Sequence, residues 1–195
     1  MITKSQIIKG VVLDAIELLK TRTSCAQLSE PRPSDAQVQT LYQVAFRAAD
    51  HRQLKPVRFL QIEGEGLAAL GALFVKAKRA GDPDLNPEAE AKVRDMPTRA
   101  PMVVVAIASI KDDPKVPEIE QMLSAGASVQ NMLNAAYALG IGAIWRTGDL
   151  AFDRMVAEGL GLASREKIIG FIYMGTPRAG FREVPAYDYQ KHIKV

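Results

Sequence analysis

Between Ser124 and Gly148 the chain reads SAGASVQNMLNAAYALGIGAIWRTG, and this stretch constrains the fold more than any other. Small residues packed close together (Ala125, Gly126, Ala127, Ser128) lead into positions that are apolar around most of a helix's circumference. Such a helix is covered on several sides rather than laid on a surface, and its small residues let another backbone approach. Gly140 and Gly142 stop the helix, a short strand follows, and the strand ends on an aromatic and a cation, Trp145-Arg146. Two arrangements satisfy the pattern: the central helix of an intertwined dimer that delivers a strand end to a ligand, and a core helix of a monomeric α/β domain.

Upstream, Ile7, Ile8, Val11, Val12, Ala15, Ile16 and Leu19 recur at helical spacing over residues 5–20, predicting an amphipathic helix that ends before Thr21-Arg22-Thr23-Ser24. Pro31 and Pro33 punctuate the loop that follows, and Ser34 is placed to cap a second helix running to about Arg47. A turn containing His51 and several cations precedes a strand at Val57–Glu63, with Pro56 just outside it, where a missing amide donor is tolerated. Gly64-Glu65-Gly66 opens a helix from Leu67 to about Ala80. The Asp-, Glu-, Lys- and Pro-rich run from Gly81 to Thr98 reads as a mobile excursion with one short helix. MVVVAIAS (102–109) is apolar at nearly every position, so it is a central strand covered on both faces. Lys111 to Pro117 is a charged turn before the long helix. A polar-rich helix (about Phe152 to Leu160), a strand (Lys167–Met174), the Gly175-Thr176-Pro177 turn and a tail complete the chain. The order of elements predicts one α+β domain over residues 1–195, a three-layer α/β/α sandwich.

Composition removes several classes of function. Lys+Arg 25 against Asp+Glu 22 gives a net charge of +3, too weak and too scattered for a nucleic-acid surface. The single cysteine, Cys25, excludes an internal disulfide framework and fits a reducing compartment. Lys4, Lys9 and Asp14 interrupt the apolar N-terminal run, so neither a signal peptide nor a membrane span is expected and the protein is read as cytoplasmic. Cys25, His51 and His192 show no metal-ligand spacing, so no metal site is expected.

Three sets of residues could carry chemistry. Arg22 and Ser24 follow a helix directly and offer a forked guanidinium and a hydroxyl to an anion such as phosphate; a solvated helix end with Arg near the negative dipole terminus explains the same pair. Arg47 and His51 stand where the second helix gives way to a loop. Trp145-Arg146-Thr147-Gly148 ends a strand, a common place for a planar ligand, though a packed indole with a snorkelling arginine fits too. Together, cations, a hydroxyl, an imidazole and an aromatic suit a ligand with a phosphate, a polyol and a flat electron-poor ring.

In this order, the helix ending in Arg22-Thr23-Ser24, the His51 loop with Pro56 and its strand, MVVVAIA, SAGASVQNMLNAA and GIGAIWRTG resemble the flavin mononucleotide (FMN)-dependent nitroreductase family. The resemblance runs from about Ile16 to Pro177 and is closest to a compact bacterial branch of NAD(P)H nitroreductases. It implies a homodimer with two FMN sites shared between the chains. Arg22, Thr23 and Ser24 match the branch's Arg-Arg-Ser triplet on the FMN phosphate side. Arg47 and His51 match residues that reach the flavin from the partner subunit, and Trp145, Arg146 and Thr147 match a Trp-Arg-Ser along the ring. Thr23 departs from the second arginine, Gln27 stands where many relatives carry a cation, and Val57 replaces a tryptophan, which alters the substrate side. The implied chemistry is ping-pong electron transfer from NAD(P)H through FMN to a nitro compound or quinone. The cofactor carries the redox step, so binding residues are expected and no catalytic acid or base. Arg47, His51 and Arg146 are the candidates for stabilising charge on the reduced ring.

Two other readings remain. A dimeric flavin-binding or flavin-storing protein without efficient turnover would keep the same site. Gly64-Glu65-Gly66-Leu67-Ala68-Ala69 has the spacing of a dinucleotide fingerprint, but Glu63 and Glu65 put negative charge where a pyrophosphate would lie, which favours a plain strand-to-helix turn.

Overall fold

The computed structural model describes residues 14–194, so the part of the first predicted helix before Asp14 lies outside the described residues. The remainder forms α1 (Ala15–Thr21), capped by the Asp14 carboxylate, which accepts from the Ile16 and Glu17 amides. β1 is the two-residue strand Leu28–Ser29. α2 (Asp35–Ala45) starts at Ser34 as the sequence predicts. The Ser34 hydroxyl accepts from the Gln37 amide while the Gln37 side chain returns to the Ser34 amide, a capping box. β2 (Val57–Glu63) and β3 (Met102–Ser109) coincide with the expected spans. Between them lie α3 (Glu65–Gly81) and α4 (Pro87–Arg94). α5 (Glu118–Ala138), β4 (Gly142–Arg146), α6 (Arg154–Gly159) and β5 (Glu166–Pro177) follow.

The strands form one sheet in the order β1-β5-β3-β2, with β4 also paired to β5, and every pairing is antiparallel. β3 is apolar from Met102 to Ala108 because side chains alternate across the pleat and both faces are covered. Val103, Val105 and Ile107 join the core under α3, α4 and α6, whereas Met102, Val104 and Ala106 join the core under α2 and α5. Three layers result, as expected. Each large apolar side chain buried in β3 contributes roughly 1.5–3 kcal/mol.

The Gly81–Thr98 run is more ordered than its composition suggests. α4 starts with Asn86 accepting from the Ala89 amide and Pro87 in the first turn. It docks through buried Val93, and its Glu90 carboxylate is clasped by Arg79 of α3 and by Arg94. Those guanidiniums, Arg79 foremost, hold the Glu90 carboxyl below the usual range. A charge-rich sequence therefore encodes a salt-bridged helix here, the one short helix expected within the run.

α5 is covered on one side. Ala125, Val129, Met132, Leu133 and Ala136 are buried, but Ile119 is 64% exposed and Leu123 66% exposed. At its start the buried Gln121 amide ties down the preceding turn, donating to the Lys111 and Val116 carbonyls at 3.0 Å and accepting from the Lys111 amide at 2.8 Å.

One ion pair spans three strands. Arg58 on β2 reaches past β3 to Glu166 on β5, with Nε and Nη2 each 2.6 Å from a carboxylate oxygen. The Arg58 hydrogen bond, helped by the Ala163 amide and opposed by burial, pulls the Glu166 carboxyl from its ordinary 4.5 down to about 2. Because the folded value is depressed, this contribution is fully present above the ordinary carboxylate value and is lost as pH falls through about 2. Glu166→Gln is expected to cost about 1–3 kcal/mol at neutral pH and to flatten the acid limb of a Tm-against-pH curve. A parallel limb in the variant would assign the acid sensitivity elsewhere.

Candidate functional site

β4 has β5 on one edge, and its other edge is taken by the chain that leaves α1. The Cys25 amide donates to the Ala143 carbonyl at 2.9 Å. The chain beyond β5 folds over the same place, with the Arg178 amide donating to the Gln27 carbonyl at 3.0 Å and the Thr23 hydroxyl to the Arg182 carbonyl at 3.4 Å. Three segments remote in sequence thereby enclose a cavity of about 390 Å³ lined by Ser24, Gln27, Ile144, Ala179, Gly180 and Arg182 among others. Arg22, Thr23 and Ser24 are partly buried beside it. Among the described residues, neither Arg22 nor Arg182 is paired with a carboxylate.

Trp145 and Arg146 point to opposite faces of the sheet, as strand alternation requires. Trp145 packs on the α5 side. Its indole N–H donates to the Ile169 carbonyl at 3.1 Å, and its ring lies so close to α5 that a Cβ on Gly126 would be 3.8 Å from Cη2. The small residue at 126 therefore accommodates this chain's own indole. A bulge makes the arrangement possible: β3 pairs Ala106 with Gly170 and Ile107 with Ile168, leaving Ile169 unpaired to β3. Gly170 has no side chain to obstruct the indole.

Arg146 goes to the α3 side, its guanidinium carbon 5.8 Å from the centroid of the Tyr173 ring. There it meets a second cavity, of about 320 Å³, lined by Phe74, Met96, Arg99, Arg146, Thr147, Gly148, Asp149, Leu150, Phe171 and Tyr173. The two cavities share no lining residue. Burial raises the Tyr173 phenol above its ordinary value, while the nearby charges of Arg146 and Arg99 pull it down.

Arg47 and His51 are exposed. His51 Nδ1 lies 2.7 Å from the Glu120 carboxylate at the start of α5. The loop around it is held tightly: Arg52, Gln53 and Lys55 have φ of 59°, 53° and 50°. Asp50 accepts from the Leu54 and Lys55 amides at 3.1 and 2.8 Å. Three non-glycine residues in the left-handed region are costly and are tolerated where surroundings over-determine them. Among the described residues, no hydrogen bond or ion pair links Arg47 or His51 to Arg22–Ser24 or Trp145–Thr147. The chain thus lays the Arg22–Ser24 segment alongside β4, the strand that carries Trp145 and Arg146 to opposite faces, and gives the second set no bonded link to either.

Sequence reasoning passed over Arg182, Ile144 and Glu120. Arg178 and Arg182 after Thr176-Pro177 were a readable signal, a pair of cations where the last strand ends. Glu120 carried none, because its partner is 69 residues away. Among the described residues, no group of three His, Cys, Asp or Glu side chains could hold a metal ion, and no helix is long and apolar enough to cross a membrane.

A cavity at the edge of an antiparallel sheet within a three-layer sandwich is the setting, and the chain belongs to the nitroreductase family, whose profile matches residues 19–176. It is 41% identical over 167 residues to the "Putative NAD(P)H nitroreductase YdjA" of Escherichia coli (strain K12), covering 85% of this chain and 90% of that one. A second relative, the "Putative NAD(P)H nitroreductase" of Haemophilus influenzae, is 35% identical over 84% of this chain and 89% of its own. Among solved structures, a nitroreductase-like family protein from Bacillus cereus shares the fold with a TM-score of 0.82 at 18% identity, covering 95% of this chain and 97% of that chain. A Desulfovibrio desulfuricans nitroreductase solved in complex with FMN superposes with a TM-score of 0.70 at 19% identity, over 95% and 98% of the two chains.

Proposed function

We propose that the chain is an FMN-dependent oxidoreductase that carries electrons from NAD(P)H to a small organic acceptor, a nitro compound or quinone, by a ping-pong cycle. The observation that carries this reading is the closure of Ser24 and Arg182 onto the edge of β4. It sets a hydroxyl, and a guanidinium that has no carboxylate partner among the described residues, beside the strand that ends at Trp145-Arg146. That donor set fits a phosphorylated flavin. Arg22 and Arg182 hold the phosphate by charge-assisted hydrogen bonds, Thr23 and Ser24 add neutral ones, and the strand end Trp145–Thr147 lies along the ring. When bound, FMN supplies the chemistry, taking hydride from the nicotinamide and passing electrons on. The protein binds, orients and excludes water, and no side chain acts as nucleophile or general base.

Arg47 and His51 stand apart from this cleft within the chain, so they serve it from the second copy of a homodimer. The exposed apolar residues of α5, Ile119 and Leu123, and of α1, Ile16 and Leu19, support such an association. The reducing cytoplasm suits the buried free thiol of Cys25.

Purified protein loaded with FMN is expected to lose its yellow absorbance when NADH or NADPH is added without oxygen and to regain it with a nitroaromatic or quinone. A protein that takes up no FMN removes the assignment. Arg22→Ala is expected to weaken FMN binding by about 1.5–3 kcal/mol, measured by fluorescence titration; unchanged affinity would take Arg22 out of the site.

A further inference from the structure

The segment that closes the Ser24–Arg182 cavity is anchored by one side chain. Between residues 178 and 194, Phe181 alone is not exposed. Its ring meets Tyr137, in the last turn of α5, edge on, with centroids 4.6 Å apart and planes at 69°. Tyr137 is itself fixed relative to β4, because the Ile141 amide donates to the Ala136 carbonyl at 2.8 Å where the chain turns from α5 into that strand. The polar tie beside Phe181 is weak by comparison. The Thr23 hydroxyl reaches the Arg182 carbonyl only at 3.4 Å, longer than a strong hydroxyl bond. Gly180, immediately before the ring, has a φ of 70°, and a Cβ built on it would meet nothing within 4 Å. A glycine in open space can change its backbone angles at little cost. Ahead of it the chain stays tied, because the Arg178 amide is bonded to the Gln27 carbonyl. Rotation at Gly180 therefore carries Phe181 and Arg182 away together and opens the cavity wall.

We infer that residues 180–182 are a latched flap over this cavity: Phe181 docked on Tyr137 holds it shut, Gly180 is the hinge, and a ligand enters and leaves when the ring undocks. That the ligand is FMN rests on the flavin reading of the cleft. On that reading the docked ring delivers the Arg182 guanidinium to the phosphate, so Phe181 is a positioning residue that acts through Arg182. An anion on Arg182 and the ring on Tyr137 both favour the shut form, so each strengthens the other.

Cys25 lines the same cavity, is 7% exposed and is the chain's one cysteine, so its alkylation by iodoacetamide reads the opening without any ligand. In the FMN-free protein, Phe181→Ala and Tyr137→Ala are each expected to speed this alkylation at least tenfold. The double variant is expected to go no further, and Phe181→Tyr to keep the wild-type rate. Stopped-flow fluorescence of Phe181→Ala with FMN is expected to show association and dissociation both faster, dissociation the more so; loss of a wall contact alone would leave association unchanged. Circular dichroism and Trp145 emission matching the wild type establish that a fast-reacting variant is folded, and Tyr137→Ala reads the same latch from α5. Unchanged Cys25 alkylation in these variants, additive effects in the double variant, or unchanged FMN association overturns the flap. A wild type that takes up no FMN while its Cys25 follows the latch sinks the flavin assignment alone.

Discussion

Gly170→Ala is expected to cost about 3 kcal/mol of stability, more than most single methyl groups added to a protein. The added Cβ would collide with Nε1 of Trp145, lie 2.5 Å from its Cδ1 and sit 2.8 Å from the Arg146 carbonyl oxygen. Neither neighbour can yield. The indole is pinned between the Ile169 carbonyl and α5, and the carbonyl is backbone in a paired strand. Relief requires the end of β4 to part from β5, which displaces Trp145, Arg146 and Thr147 together. Chemical denaturation and FMN titration of the same variant check both consequences: a lowered midpoint, and weaker flavin binding in whatever fraction remains folded. Wild-type stability with an unshifted Trp emission spectrum would mean that the indole is elsewhere.

Gly71→Val is expected to be comparably damaging, about 3 kcal/mol, but at the contact between α3 and α4. A Cβ at position 71 would run into the Arg94 carbonyl oxygen, with the carbonyl carbon at 3.2 Å. The obstacle is again backbone, at the last residue of α4. Contrast Gly159, where the collision is with the tip of the Leu73 side chain, which can rotate aside. Valine at 71 therefore pries α4 off α3 and breaks the Arg79–Glu90 pair between the two helices. Hydrogen exchange should show residues 82–99 losing protection while β3 keeps its own. Retained protection there would show that α4 is held by its ion pairs without the close approach.

Much of this architecture could be read in advance, for identifiable reasons. β2 and β3 were legible to the residue because their apolar-rich segments are bounded by Pro56, Gly64 and Pro101. The start of α2 was legible because Ser34 and Gln37 stand at capping-box spacing. The sandwich followed from the unbroken apolar run of β3, which demands cover on both faces. Less local features were hidden. β1 is two residues long and exists only because β5 continues to Pro177. The order of α4 depends on an ion pair with α3 that composition presents as mere polarity. Gly126 looked like a seat for a neighbouring backbone, yet it faces Trp145, a contact created by the bulge at Ile169.

The site was legible as a set of residue types and not as a geometry. Arg22, Ser24 and Trp145 were chosen from motifs, and the fold brings their segments to one strand edge. No sequence pattern showed that Trp145 and Arg146 serve opposite layers, because that follows from their place in the pleat, nor that Arg182 returns from the far end of the chain. His51 was identifiable as a candidate, but its attachment to Glu120 required the start of α5 to be in place.

The bulge also settles how β4 can be assembled. A slip of one position along β5 would swing a bulky indole into the chamber shaped for a guanidinium and put a cation against the methionines and valines beneath α5, so misthreaded molecules are rejected by both layers at once. The kink at Ile169 and Gly170 works as an alignment peg for the β4–β5 pair, and the same peg that enforces correct assembly is what aims the strand's last two residues.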